Sequence, residues 1–594
     1  MPPKLPAQSE PPLRALLDRI LATAVKTTHD VESDYPGGQF ANSTSEFVIV
    51  SSLAEGSDRI VAEAGLAAGY RLEAVLPFGR AEYARDFETP ESRAAFERLL
   101  ARAAAVFELD GAADERPRAY EAAGFVMLAN IDLLVAIWDG GEAAGVGGTA
   151  QIVSRAIADG IPVVRVDPRQ PSLMQMAWRR AGDLAPAHAD AQPKLTFRSA
   201  DEAALALAIK ETLAMPEPDE ARQSLAQYLV ETERSWNFCP WYPLLLWVFA
   251  GRRPRLTDFR LPSPLAETKA QWESYFTILP KDRAQRPAIE RTLLSAFSAA
   301  DHLAVFYSLV YRSTYVFNFL FAAVAVALAL TGIFIHHADI KIPFVTAELV
   351  IIITILITWY YGNKLQWHRR WLEYRRLAES LRHMRILAPL GSEGPIDRPG
   401  RNLDVDARDW VNWYAWSLRR LIPLPDRAVD KAYLAAMREA VRSGEIAGQA
   451  QYHTENARRI AKLEVRMHHT GQALFGVTGG LCALYIALYA LGILPKPDNP
   501  QTDLVLGAFT LLTALFPTLG AALGAIHAQG DFKTVAEQSK RTASRLAAVD
   551  KILADEPLDF ARLADRIQKT SDIMMVDLEE WQTVFRARPL SLPA

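Results

Sequence analysis

The sequence predicts two structural parts. An α/β N-terminal unit built on a doubly wound parallel sheet is followed by an all-α transmembrane domain with four spans and long cytoplasmic helices. Three observations predict this. Four short β-branched runs alternate with helical segments in the first third of the chain. Four apolar segments of the second half are each long enough to cross a bilayer core of about 30 Å. Each pair of these segments is followed by a polar helix of similar pattern.

The N-terminal "MPPKLPAQSEPPLRALLDRI" lacks the basic start and continuous apolar run of a secretory signal and reads as a Pro-rich tail entering an amphipathic helix. The polar stretch 33–45 reads as a loop. "EFVIV" (46–50) is the first strand, and "SSLAEGSDRIVAEAGLAAG" (51–69) leads from it through a small-residue turn into a helix. Further strands follow at 70–78, 131–140 and 160–168. No strand with a glycine turn precedes the first helix, so the expected opening strand is either trimmed or supplied from elsewhere. After the third strand, five glycines fall between Trp138 and Gly148, directly before the helical "TAQIVSRA".

In a doubly wound sheet, ligands sit beyond the carboxyl ends of the strands, where both small-residue loops fall. Glycine permits close backbone approach, and the N–H groups opening a helix favour phosphate. The ligand-binding candidates are therefore Ser51, Ser52, Leu53, Glu55, Gly56, Ser57 and Asp58 in the first loop. In the second they are Asp139, Gly140, Gly147, Gly148 and Thr149. Asp58 serves equally as a helix N-terminal charge and Asp139 as a turn cap or ribose partner. Tyr83, Asp86 and Phe87 read as lid or surface residues.

The apolar segments lie at 313–335, 343–362, 471–494 and 503–526, and a shorter run, "CPWYPLLLWVFAG" (239–251), reads as interfacial. Lys and Arg cluster after the second span and before the third, while the turns inside each pair are short and nearly neutral. Both termini and the middle segment are therefore expected in the cytoplasm. "EYRRLAES" (373–380) aligns with "DFKTVAEQ" (531–538), so the two hairpins read as parallel copies. Asn318 and Glu348 are polar exceptions within the spans and pore-lining candidates. "GAALG" (520–524) reads as a helix-packing face. The pairs His336/His337 and His468/His469 are set aside as metal ligands, because neighbouring helical side chains diverge.

Net charge is −4 over 594 residues, which excludes a general electrostatic affinity for nucleic-acid duplex. Two cysteines, Cys239 and Cys482, offer neither a disulfide framework nor zinc spacing and fit a reducing compartment.

The first-loop residues Ser52, Leu53, Ala54, Gly56 and Asp58 resemble the "S-G-L-A-x-G-x-D" element of the DNA-processing protein A branch of the SLOG superfamily. Gly147, Gly148 and Thr149 resemble the glycine loop of its LOG-type nucleotide phosphoribohydrolases. The resemblance covers about residues 40–170 and implies a Rossmann-like fold with a nucleotide ligand. The hydrolases carry a glutamate after their Gly-Thr pair, whereas Ala150, Gln151, Ile152 and Val153 stand here. Binding is therefore expected over hydrolysis, with no catalytic residue assigned and no cofactor or metal. "WLEYRRLAESLR" (371–382) and the hairpin before it are similar to the SLATT family of predicted bacterial membrane effectors, over roughly 285–575.

Together these resemblances imply an effector in the bacterial inner membrane. It senses a nucleotide or nucleotide-derived messenger and acts as a homo-oligomer, through a pore or membrane perturbation, in antiphage defence. The alternative is a membrane-anchored nucleotide hydrolase or transferase. The expected organisation is a tail, helix and loop over 1–45, then the nucleotide-binding unit over 46–215. A connector with the interfacial helix occupies 216–300, and the first hairpin and its helix 301–390. A linker covers 391–454, and the second hairpin and its helix 455–594.

Overall fold

The structure is a computed structural model that describes residues 9–34, 45–141, 147–178, 197–215, 219–232, 234–261, 264–278, 284–333, 338–394, 409–493 and 500–593. The chain is mostly helical, with small sheets in its N-terminal part. The described residues form eight strands: β1 (Val48–Ser51), β2 (Arg71–Leu76), β3 (Ala105–Glu108), β4 (Leu134–Ile137), β5 (Val163–Val166), β6 (Met174–Ala177), β7 (Arg198–Ser199) and β8 (Arg427–Ala428). Between them lie α1 (Glu10–Asp34), α2 (Ser57–Ala67), α3 (Pro90–Leu100), α4 (Arg116–Leu128), α5 (Thr149–Ala158) and α6 (Glu202–Leu213).

All four strands expected from the sequence form, β1 running one residue past its expected end, but they do not join one ladder. One parallel sheet runs β1-β2-β3-β8, and a second runs β4-β5-β6-β7, antiparallel after β5. Among the described residues no hydrogen-bonded ladder joins β1 to β4. Their apolar side chains still share one core: Ile49 packs with Val135 and Ile137 against Leu13, Leu17 and Ile20 of α1. The extra strand comes from far along the chain. β8 pairs with β3 from within the stretch read as a linker, and Val429 N donates to the Glu108 carbonyl at 2.8 Å.

The second half contains α7 (Ser295–Ile333), α8 (Ala338–Lys364), α9 (Trp367–Leu387), α10 (Trp410–Arg420), α11 (Ala447–Ala490), α12 (Pro500–Gly530), α13 (Phe532–Asp555) and α14 (Phe560–Arg586). Among the described residues, four helical stretches are long and apolar enough to cross a membrane. The chain is therefore a multi-pass membrane protein. With 44 residues, α11 is about 66 Å long and projects well beyond any bilayer core. The apolar run near residue 240 forms a short helix, Trp241–Ala250, with Trp247 and Val248 exposed.

The two hairpins share an architecture beyond their apolar content. α7 packs against α8 and α9, and α11 packs against α12 and α13. A π-helical turn opens each long helix, at Glu290–Leu294 and Arg442–Ile446. After each second span one non-glycine residue adopts the left-handed conformation, Gln366 at φ 52° and Asp531 at φ 41°. This break re-aims the chain along its own hairpin. It also shows where the sequence alignment slipped: Glu373 was matched to Asp531, whereas Gln366 is the residue at the equivalent corner.

Inside the first hairpin, Asn318 is fully buried and accepts a 2.9 Å hydrogen bond from the Thr358 hydroxyl. It clamps α7 to α8. Glu348 is half-buried on α8.

Candidate functional site

The first loop is built by its own hydroxyls. Ser51 Oγ accepts the Leu53 amide at 3.1 Å, and Ser52 Oγ donates toward Met127 Sδ at 3.5 Å. Leu53 is buried with φ 55°, and Arg59 Nε donates to its carbonyl at 3.0 Å. Ser51, Ser52 and Leu53 therefore shape the turn instead of lining it. Gly56, at φ 103°, then admits the chain to α2, a conformation that suits glycine alone. Glu55 is exposed, and Ser57 and Asp58 are half-buried. Burial pushes the Asp58 carboxyl up, opposed by the Ala54 amide, the Ser57 hydroxyl and Arg59.

In the second loop, Gly147 has φ 83° and presses on α4: a Cβ there would meet the Pro117 carbonyl oxygen at 2.5 Å and the Glu121 nitrogen at 2.9 Å. Gln151 locks the turn. Its Oε1 accepts the Gly147 amide at 2.6 Å, and its Nε2 donates to Glu121 Oε1 at 2.6 Å. Gly148 is the N-cap residue of α5, and Thr149 is exposed. Neither α2 nor α5 has a side-chain cap. Their first-turn amides are ready donors for an anion. Residues 142–146, the middle of the glycine stretch, lie outside the described residues.

The two loops meet through the segment read as a lid. Asp58 lies close enough to Tyr83 for its charge to act, with burial, in pushing that phenol well up. The Tyr83 and Tyr120 rings are 6.3 Å apart, and Tyr120 Cβ lies against Gly147. Tyr120 donates to Asp86 at 2.6 Å, and Arg116 grips both Asp86 oxygens at 2.7 and 2.8 Å. Arg116 also stands 4.8 Å from the Phe78 ring centre. Tyr83 Oη is buried without a hydrogen-bond partner among the described residues. Phe87 belongs to the wall, beneath the Arg59 guanidinium at 4.2 Å.

The remaining expected residues lie apart. Asp139 Oδ1 accepts the Gly141 amide at 3.0 Å and Asp139 Oδ2 faces Arg169 at 3.3 Å, while a Cβ at Gly140 would strike the Arg165 guanidinium. They form a patch at the ends of β4 and β5 that no hydrogen bond or ion pair joins to Tyr120 among the described residues. His468 and His469 are exposed, with ring centres 6.3 Å apart, and His336/His337 lie outside the described residues. No group of three metal-type ligands converges among the described residues.

Sequence reasoning missed Arg116, Tyr120 and Glu121. Arg116 and Tyr120 stand four apart on one face of α4. The apolar "AVFEL" run just before could have flagged β3 and hence α4 as the next crossover helix.

α4 also reaches the helical part of the molecule. Just past its end, Asn130 Nδ2 donates to the Gly391 carbonyl at 2.8 Å and Asn130 Oδ1 accepts from Arg419. Arg420 binds Asp132 at 2.9–3.1 Å, and the Leu424 amide donates to buried Glu73 at 3.0 Å. Just past β3, Asp110 accepts the Phe560 amide at 3.2 Å at the start of α14. Comparison with protein-family models, curated proteins and solved structures finds no match to the chain.

Proposed function

We propose that the chain is a membrane effector that binds a nucleotide-derived signal on its N-terminal unit and answers by pore formation or membrane perturbation. One observation carries this reading. The glycine turn of the second loop presses on the N-terminal half of α4, the first loop reaches the same half through Tyr83, and Asn130, just past the other end of α4, is bonded to the segment between the two membrane hairpins. In this reading the amides opening α2 and α5 receive phosphate, while Asp58 and Asp86 take hydroxyl groups. The N-terminal unit is Rossmann-like with its sheet interrupted. The order β3-β2-β1 followed by β4-β5, and the core shared by Ile49 and Val135, support that description.

A ligand shifts the spans only if it prefers one of two arrangements. The junction around Asn130 is where such a preference passes on. The Lys and Arg flanks of the spans support cytoplasmic termini, and the bacterial inner membrane follows from the resemblance. The apolar windows of the second and third spans are 6% and 0% buried within the protomer, which supports a homo-oligomer in lipid. The defence setting follows from the resemblance to SLOG and SLATT proteins.

The test is the thermal stability of the purified protein across mono-, di-, cyclic and oligonucleotides, beside Gly148→Asp, which places a carboxylate at the α5 N-terminus. A shift with one nucleotide class, lost in the variant, is expected; no shift with any class refutes the site. A second reading rests on Glu121, a carboxylate at the glycine turn. Turnover of the bound nucleotide, abolished by Glu121→Gln, would make the chain a membrane-anchored hydrolase.

A further inference from the structure

A cavity of about 470 Å³ lies between the two repeats at the polar end of the spans, far in sequence from the loop site. α7, α9, α11, α13 and α14 all contribute to its wall, and five arginines line it: Arg252, Arg312, Arg375, Arg382 and Arg459. Aromatic and aliphatic side chains such as Trp371, Trp581 and Phe585 complete it. Its volume is that of a small-ligand site, and its wall sets convergent charged groups beside apolar side chains.

Most of the charge is internally matched. Arg252 holds Asp258 at 2.6 and 3.0 Å. Arg375 binds Asp301 at 2.9 Å and Glu379, and Arg382 binds Glu379 and, at 3.2 Å, Glu445. Asp577, the remaining acid of the wall, accepts from the Thr542 hydroxyl. Two arginines are left over. Arg312 lies between the Tyr242 and Trp371 rings, 5.1 and 4.8 Å from their centres, and Arg459 donates to Asn456 Oδ1 at 3.1 Å. Neither has a carboxylate within 4.0 Å among the described residues. Arg382 Nε and His453 Nδ1 are also buried without hydrogen-bond partners among the described residues.

Two surplus guanidinium groups and orphaned donors on a partly apolar wall call for an anion with several acceptor oxygens. We propose that this cavity binds a phosphate-bearing ligand, held by Arg312 and Arg459 with Arg382 beside them. Each repeat contributes at least one of these arginines, so occupancy ties one hairpin to the other. The phosphate arrives either on a soluble molecule or on an anionic lipid headgroup from the adjoining leaflet.

The test uses the full-length protein in neutral detergent. Inorganic phosphate is titrated at constant ionic strength and followed by tryptophan fluorescence, since Trp371 underlies Arg312. In parallel, retention of phosphatidylglycerol over phosphatidylcholine is measured by native mass spectrometry. Saturable binding in either arm is expected, weakened about tenfold or more by Arg459→Gln and largely kept by Arg459→Lys. Binding in the phosphate arm alone identifies a soluble ligand, and in the lipid arm alone a headgroup.

Val305→Glu places an acid at an exposed position of the same wall without removing a packed arginine, and weakens binding even if Arg459→Gln fails to fold. Gly148→Asp leaves this binding unchanged, which separates it from the loop site. No saturable binding in either arm, or equal binding in wild type and Val305→Glu, would overturn the proposal.

Discussion

The Tyr120 hydroxyl donates a 2.6 Å hydrogen bond to Oδ2 of Asp86, and through it the lid segment is fastened to α4, the helix against which the glycine turn packs. Tyr120→Phe loosens the lid, which Arg116 still holds through Asp86. The bond ends on a charged group in a part-buried setting, so its loss destabilises the N-terminal unit by about 1–2 kcal/mol. A lower melting temperature together with weaker nucleotide protection is the expected result.

Tyr83→Phe discriminates differently. The Tyr83 hydroxyl is buried with no hydrogen-bond partner among the described residues, so removing it relieves a desolvated group and leaves the melting temperature unchanged or raised. If that hydroxyl meets the ligand, the variant loses affinity without losing stability. Nucleotide titration of a variant at least as stable as wild type reads this directly.

The two adjacent glycines are not equivalent. At Gly147 the left-handed φ and the Pro117 carbonyl at 2.5 Å make Gly147→Ala costly, by about 1–3 kcal/mol. Gly148 has φ −77°, an ordinary backbone conformation, so Gly148→Ala leaves thermal stability nearly unchanged. Equal melting temperatures for the two variants would contradict this description of the turn.

Much of this was legible in the sequence, and the boundary of what was legible has physical causes. The spans announce themselves, because no polar face interrupts them. The four expected strands were found because β-branched runs between glycine turns are a local signal. β8 is not local: Arg427 and Ala428 carry no strand pattern and pair only because β3 offers them an edge. The loop glycines were legible, but the link between the two loops through Tyr83 and Tyr120 depends on α4, whose preceding strand went unread. Ser51 and Ser52 had the right composition for a ligand loop and are spent on holding the turn. The Arg375/Glu379/Arg382 spacing in "WLEYRRLAESLR" was legible as a motif; only its contacts show a buried ion-pair network.

Acid sensitivity follows from buried histidines outside the spans. Burial, with Arg382 alongside, lowers His383 to about 4, and burial lowers His368 to about 4. Both are neutral in the folded chain at pH 7. Their folded values lie below the unfolded one of about 6.5, so their contribution is fully present above pH 6.5 and is lost as pH falls toward 4. Thermal stability should decline across that window, and His383→Gln should flatten the decline. A flat wild-type profile between pH 6.5 and 4 would count against the buried, neutral imidazoles.

The measurement closest to the central claim is dye or ion flux from liposomes holding the full-length protein, with the nucleotide that stabilises it added to the face bearing the N-terminal unit. Wild type should release on ligand addition, and Gly148→Asp should not. Asn130→Ala, which cuts the bonds to Gly391 and Arg419, should still bind the nucleotide yet release little. Release that is independent of nucleotide, or unchanged in Gly148→Asp, would contradict a membrane effector governed by this site.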